Sequence, residues 1–179
     1  MSGDPGTSAL AGRLDRPVVG AAYGGLLGLA VLCATGAVGL ALKAPWLFPS
    51  LGPTVMLFFE SPGIPSARPR NALVGHGVGL VVGALCLLAF GLTSAPSVVQ
   101  GGLTVPHLFS GALSVAVTTV VLTLLRLEHP PAGATTLIVS LGILREPVEL
   151  LSMAGAIVLV TVLGAALNRL LLGRRRSAD

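Results

Sequence analysis

Between Val18 and Leu42 the chain runs for 25 residues without a charge, and roughly 20 apolar residues carry a helix across a bilayer. Further runs cover Ala72–Leu92, Leu108–Leu125 and Val148–Leu172, the last holding Glu149 near its start and Asn168 and Arg169 near its end. In hydrocarbon only a helix or a closed barrel satisfies its own backbone groups, and runs this long and unbroken are helical. The expected class is an all-α polytopic membrane protein. Composition agrees: 53% of the 179 residues are hydrophobic and 10% charged, against about 25% charged in soluble domains, and the mean hydropathy is +0.90.

The ends have a different character. Residues 1–17, "MSGDPGTSALAGRLDRP", are small, polar and broken by proline, and read as a flexible cytoplasmic leader. They are no secretory signal, because the run that follows is too long for an h-region of about 7–15 residues. Residues 173–179 form a basic tail, and its Arg174, Arg175 and Arg176 supply most of the net charge of +4. On so apolar a chain this marks a membrane flank and argues against nucleic acid. Cys33 and Cys86 lie inside apolar runs without C-x-x-C spacing, and read as buried, inert thiols. With no nucleophile motif, phosphate loop or redox pair in the chain, neither an enzyme nor a cofactor is expected. Glu60, Glu128, His76 and His129 lack the helical H-x-x-x-H or E-x-x-H spacing of a metal site, so no metal is expected either.

Two shorter apolar stretches remain, "APWLFPSLGPTVMLFF" at 44–59 and "PPAGATTLIVSLGIL" at 130–144. Each is broken by proline and glycine, and each follows one long run and precedes another. The spacing predicts two pseudo-repeats of three passages, 18–92 and 107–172, joined by a linker at 93–106, within one transmembrane domain at 18–172. Gly52-Pro53-Thr54 pairs with Gly133-Ala134-Thr135. Topology has two solutions. If the broken stretches are re-entrant, the chain crosses four times and its 11 Lys and Arg residues divide six inside against five outside. If they cross, six passages leave only Lys43 and Arg145 outside, nine against two, which the positive-inside rule favours. An extended 44–52 covers about 27 Å and a helical 53–60 adds about 12 Å; an extended 129–133 and a helical 134–144 give about 15 Å and 16 Å, near the ~30 Å of hydrocarbon. An odd number of passages per half inverts one half relative to the other, an arrangement in which paired interrupted segments mark a transport site.

Proline has no N–H to leave unpaired and suits the first helical turn. The two stretches therefore read as extended lead-ins to half-helices. A helix start carries partial positive charge and free amide donors, which suit a small anion. Two such starts meeting near the midplane would bind it through Ser50, Gly52, Thr54, Gly133, Ala134, Thr135 and Thr136. His76, about one turn inside its run, and His129 are ionisable groups at membrane depth, hence candidate proton or substrate partners; the alternative for each is a structural hydrogen bond. His107, beside Pro106, reads as interfacial. Glu60, Arg68, Arg70 and Glu128 are candidates for gating or for drawing an anion in. Gly20, Gly24 and Gly28, then Gly75, Gly79 and Gly83, form small-xxx-small ladders for close helix packing. The competing reading is a non-transporting scaffold or assembly partner whose prolines only shape interfacial loops.

"HPPAGATTL" (129–137), "PSLGPTVMLFFESP" (49–62) and "PSARPRNALVGHGVG" (65–79) resemble, in order and spacing, the three sequence blocks of the HPP family of integral membrane proteins. The resemblance implies four transmembrane helices by the usual description and, from plastid and cyanobacterial members, transport of nitrite. The chain departs from the family pattern at Pro53-Thr54, where small residues such as Ala-Ser are usual, and at Thr136, where Ala is frequent, which bears on pocket size and selectivity. The expectation is thus a multi-pass protein of the inner cell membrane with cytoplasmic termini, whose partners are nitrite and the lipid bilayer. A homodimer would thicken the wall that six short passages make around a cavity, although nothing in the chain demands one.

Overall fold

The computed structural model describes residues 17–173. The expected leader and basic tail therefore lie, apart from Pro17 and Gly173, outside the described residues. The elements are α1 (Pro17–Leu42), α2 (Leu51–Glu60), a single 3-10 turn (Pro65–Ala67), α3 (Pro69–Ala89), α4 (Val98–Gly101), α5 (Val105–Leu124), α6 (Pro131–Ser140) and α7 (Pro147–Leu172). The four long helices, α1, α3, α5 and α7, are long and apolar enough to cross a membrane, and their ends fall within three residues of the four apolar runs.

Local chemistry sets the boundaries. Pro69 and Pro147 open α3 and α7 and Pro106 stands second in α5, positions whose N–H would have no intrahelical partner. The Glu149 carboxylate accepts the N–H groups of Arg145 (3.0 Å) and Glu146 (3.1 Å) and so caps α7. Helices α1 and α5 stop alike. Each places a cation in the left-handed region, Lys43 at φ 51° and Arg126 at φ 54°, and the next residue's N–H returns to the preceding turn, Ala44 to Gly39 (3.0 Å) and Leu127 to Leu122 (2.9 Å).

The short helices start earlier than expected, at Leu51 rather than 53 and at Pro131 rather than 134. Prolines 130 and 131 adopt the helical first turn instead of an extended lead-in, since proline's fixed φ is already helical. Cys33 also differs from expectation. It lies on the exposed face of α1, whereas Cys86 is buried.

Helices α1, α2 and α7 pack as one triad and α3, α5 and α6 as another, with α3 against α7 and α2 touching α6 where the triads meet. Each half of the chain thus lends its last long helix to the other half's triad. Exchanging α1 with α5, α2 with α6 and α3 with α7 leaves this pattern of contacts unchanged.

Glycine ladders set the depth of each short segment. A β-carbon at Gly39 would lie 2.9 Å from Trp46 Cβ, one at Gly28 3.2 Å from Val55 and one at Gly24 3.5 Å from Glu60. Residues 46–60 therefore run antiparallel along α1 for about 22 Å. Along α3, a β-carbon at Gly75 would meet His129 Cβ at 2.8 Å and one at Gly83 would meet the Thr136 carbonyl at 2.8 Å, while Leu87 lies beside Gly142. Segment 129–142 thus follows α3 for about 18 Å. Its two ends are tied to opposite ends of the bundle. Asn71 Nδ2 donates to the Glu128 carbonyl (3.1 Å) at the start of α3, whereas Val98 N–H donates to the Leu141 carbonyl (3.3 Å) and the Arg145 guanidinium to the Ala95 carbonyl in the linker after α3.

The triads differ in what they bury. Phe48, Leu51, Phe58, Phe59, Met153 and Val160 fill the α1–α2–α7 side. His76, Ser110, Ser114, Thr118, Thr135, Thr136 and Ser140 fill the α3–α5–α6 side, each at most 2% exposed. Outward faces carry Leu26, Leu40, Val81, Leu88, Val120, Leu124, Val162 and Leu170, the surface that a hydrocarbon solvent requires.

Candidate functional site

The two short helices bring Thr54 and Thr135 to opposite sides of one buried imidazole. His76 Nε2 is 2.9 Å from Thr54 Oγ1, and His76 Nδ1 is 2.7 Å from Thr135 Oγ1. Thr54 and Thr135 are the residues that the Gly-x-Thr pairing of the two halves sets in correspondence. They stand four and five residues into α2 and α6, so each helix start aims its threonine at the same ring. His76 reaches the junction because α3, through Gly75 and Gly79, lies backbone-close to α6.

His129 completes the cluster. Its ring meets that of His76 edge to face with centroids 4.9 Å apart, its Nε2 lies 3.4 Å from Thr54 Oγ1 and its Nδ1–H donates to the Ser66 carbonyl at 2.8 Å. Thr54 also donates to the Ser50 carbonyl (2.9 Å) one turn back. A single line of close polar contacts therefore runs Thr135, His76, Thr54, His129, Ser66. The four side chains in it are at most 2% exposed.

The remaining predicted residues separate into three groups. Ser50 is fully buried at the start of α2, and its hydroxyl has no partner among the described residues. Thr136 turns the other way, donating to the Ala132 carbonyl (3.0 Å) and pairing with Thr118 Oγ1 (3.1 Å) on α5. Gly52, Gly133 and Ala134 are partly exposed, and a β-carbon at either glycine would meet nothing within 4 Å. Glu60, Arg68, Arg70 and Glu128 are exposed, and their side chains make no bond to the cluster.

One expectation is corrected by the earlier helix start. A half-helix that began at residue 134 would free the amides of Ala134, Thr135 and Thr136 for a ligand, but these lie past the first turn, where N–H groups serve the helix's own ladder. In the first turn Pro130 and Pro131 have no N–H, while Ala132 and Gly133 donate to the carbonyls of His129 (2.9 Å) and Pro130 (3.0 Å). Donors to a ligand at α6 are thus hydroxyls and imidazole N–H groups, not backbone amides.

A cavity of about 360 Å³ adjoins the cluster, lined by Thr118, Thr119 and Thr123 of α5 and by Glu128, His129 and Gly133. His129 is the one cluster member that lines it. A larger groove of about 840 Å³, between the second half of α1 and residues 43–47, is lined by none of the cluster. Among the described residues no third His, Cys, Asp or Glu joins His76 and His129 to make a metal-ligand set.

The sequence reading missed a seam of hydroxyls between α5 and α6. Ser110 donates to the Ser140 carbonyl (2.9 Å) and Ser114 to the Ser140 hydroxyl (3.0 Å), with the Thr118 to Thr136 pair one turn further on. Its signal was present in "SGALSVAVT" (110–118) as hydroxyls at i, i+4 and i+8 on one helical face. His107, expected at the interface, is 2% exposed on that same face, bonded through Nδ1 to Thr104 (2.7 Å) with Nε2 unpartnered among the described residues.

Comparison with known proteins supplies the family. Two proteins of Dictyostelium discoideum described as transmembrane proteins are similar to the chain, one 29% identical over 123 residues and the other 33% identical over 93. These alignments cover 69% and 52% of this chain but only 39% and 27% of the relatives, so the chain spans well under half the length of the curated relatives it matches. No solved structure matches. The family model described as "HPP, transmembrane region" matches residues 14–177, nearly the whole chain and all of the cluster, and the chain belongs to the HPP family of membrane proteins.

Proposed function

We propose that the protein transports a small inorganic anion across the membrane, nitrite being the substrate that the family resemblance implies, and that the anion binds where Thr54, His76, His129 and Thr135 converge. The single observation behind this reading is the clamp of two equivalent threonines, one from each half of the chain, on the two ring nitrogens of one buried histidine. An imidazolium gives a desolvated anion a compensating charge, and hydroxyls that turn from their present acceptors give it directed donors. Nitrite is a small planar anion, and the cavity of about 360 Å³ beside His129 is its approach.

Six passages and an inverted repeat belong to the same proposal. Supporting them are the contact pattern that survives exchange of the halves and the lengths over which 46–60 and 129–142 follow α1 and α3. The ties of 129–142 to opposite ends of the bundle point the same way. On this reading both termini are cytoplasmic, the protein sits in the inner cell membrane, and one triad rocks on the other along α3 and α7. It is a carrier and not an enzyme.

The test is nitrite uptake into proteoliposomes. Wild-type protein should exceed empty liposomes, and Thr135→Val and His129→Ala should each lower the rate at least about tenfold, the loss of one charge-assisted hydrogen bond. Wild-type uptake equal to that of empty liposomes would leave the scaffold reading in its place.

A further inference from the structure

We infer that the cluster holds a built seat for one exchangeable proton, on Nε2 of His129 and not on His76, so that a proton is the ion coupled to the anion. The inference deepens the transporter reading and rests on it for its meaning, but it can be tested without transport.

The Ser66 carbonyl can only accept, so His129 Nδ1 carries a hydrogen. The Ser50 carbonyl likewise takes the single hydroxyl proton of Thr54 at 2.9 Å. Thr54 Oγ1 then accepts from His76 Nε2–H, and His76 Nδ1 accepts the hydroxyl proton of Thr135, whose oxygen makes no other bond among the described residues. Every hydrogen is now placed with both rings neutral, and one acceptor is left over. His129 Nε2 faces Thr54 Oγ1 at 3.4 Å with a lone pair on each side and no hydrogen between them. One added proton converts that opposition into an N–H to oxygen bond, leaving Thr54 with two bonds accepted and one donated. Nothing else in the line has to change.

His76 offers no such place. Both of its nitrogens are already used, it is 0% exposed, and it does not line the cavity. The proton comes from water in the cavity: hydronium there yields H⁺ to Nε2 and remains as water, and the ring becomes an imidazolium beside the proposed anion.

The charged surroundings of His129 come from few directions. Helix α3 presents His76, and Arg68 and Arg70 stand exposed about its start. The α5–α6 connection carries exposed Arg126 and Glu128, and Glu128 lines the same cavity. The cavity-lining residues of α5 and the start of α6 are uncharged, and α2 contributes Thr54.

The experiment is a pH titration of ¹⁵N-histidine-labelled protein in detergent micelles by NMR, with His76→Gln, His107→Gln and His129→Gln used to assign the ring signals. Between pH 8 and pH 5, the range in which histidine usually changes charge, His129 Nε2 should pass from the shift of a bare nitrogen to that of a protonated one. His76 should keep one bare and one protonated nitrogen throughout. Thr54→Val, which removes the receiving oxygen at constant shape, should lower the His129 midpoint by at least about one pH unit. A His129 Nε2 that stays bare at pH 5, a His76 ring that gains the proton instead, or a midpoint indifferent to Thr54→Val would each overturn the inference. Failure of nitrite uptake would sink the transporter reading and leave this titration standing.

Discussion

Gly79 shows how much a single hydrogen in place of a methyl group decides. A β-carbon there would sit 2.8 Å from the Thr136 hydroxyl and 2.9 Å from the Ala132 carbonyl, and a backbone carbonyl inside a packed helix has nowhere to retreat. Gly79→Ala should therefore destabilise the protein by about 1–3 kcal/mol through overpacking, seen as a lower thermal midpoint in detergent. Gly133→Ala is the contrasting case. Its β-carbon would meet nothing within 4 Å, and alanine is up to about 1 kcal/mol better than glycine within a helix, so the same measurement should show no loss. Both glycines were prominent in the sequence, one in a packing ladder and one beside the His-Pro-Pro. Spacing identified the ladder as a close-packing surface, because a helix repeats its face every three to four residues. Which rung presses on backbone depends on α6, some 50 residues away in the chain.

At the scale of elements, α7 is joined to the first half of the chain by Asn168. It accepts the Tyr23 hydroxyl (2.8 Å) from α1 and donates to the Phe58 carbonyl (2.8 Å) of α2. Removing it in Asn168→Leu leaves both partners unpaired in apolar surroundings. Interhelical hydrogen bonds in membranes average about 0.6 kcal/mol and reach about 1.7, so for two bonds a loss of about 1–3 kcal/mol is expected in denaturation by a harsh detergent. Tyr23→Phe, which keeps the bond to Phe58, should cost less. The sequence placed Asn168 near the end of a span without assigning it a partner, since nothing local says that α7 returns to α1 and α2. Helix starts were misplaced for a different reason. The crossing length sets 129–133 as extended, whereas Pro130 already holds helical dihedrals and Pro131 opens α6.

For the whole molecule the decisive question is how many times the chain crosses. In a background with Cys33 and Cys86 replaced, single cysteines at Ser66, Ser94 and Glu146 divide differently in the two topologies. Six passages require Ser94→Cys and Glu146→Cys to react with an impermeant maleimide from one face and Ser66→Cys from the other, whereas four require Ser66 and Glu146 to share a face. The bond from Val98 to the Leu141 carbonyl, which holds the linker against the end of α6, leads us to expect the first result. From the sequence alone came the four long spans, the two broken stretches and the pairing of Thr54 with Thr135, because hydrocarbon admits few backbone solutions and proline, glycine and charge mark where each one starts and stops. Tertiary structure alone decided that those threonines share His76, that α3 and α7 change triads, and that α5 lines the polar side with hydroxyls. These depend on which small-residue surfaces lie against each other, and a pattern that repeats along one helix carries no record of its neighbour.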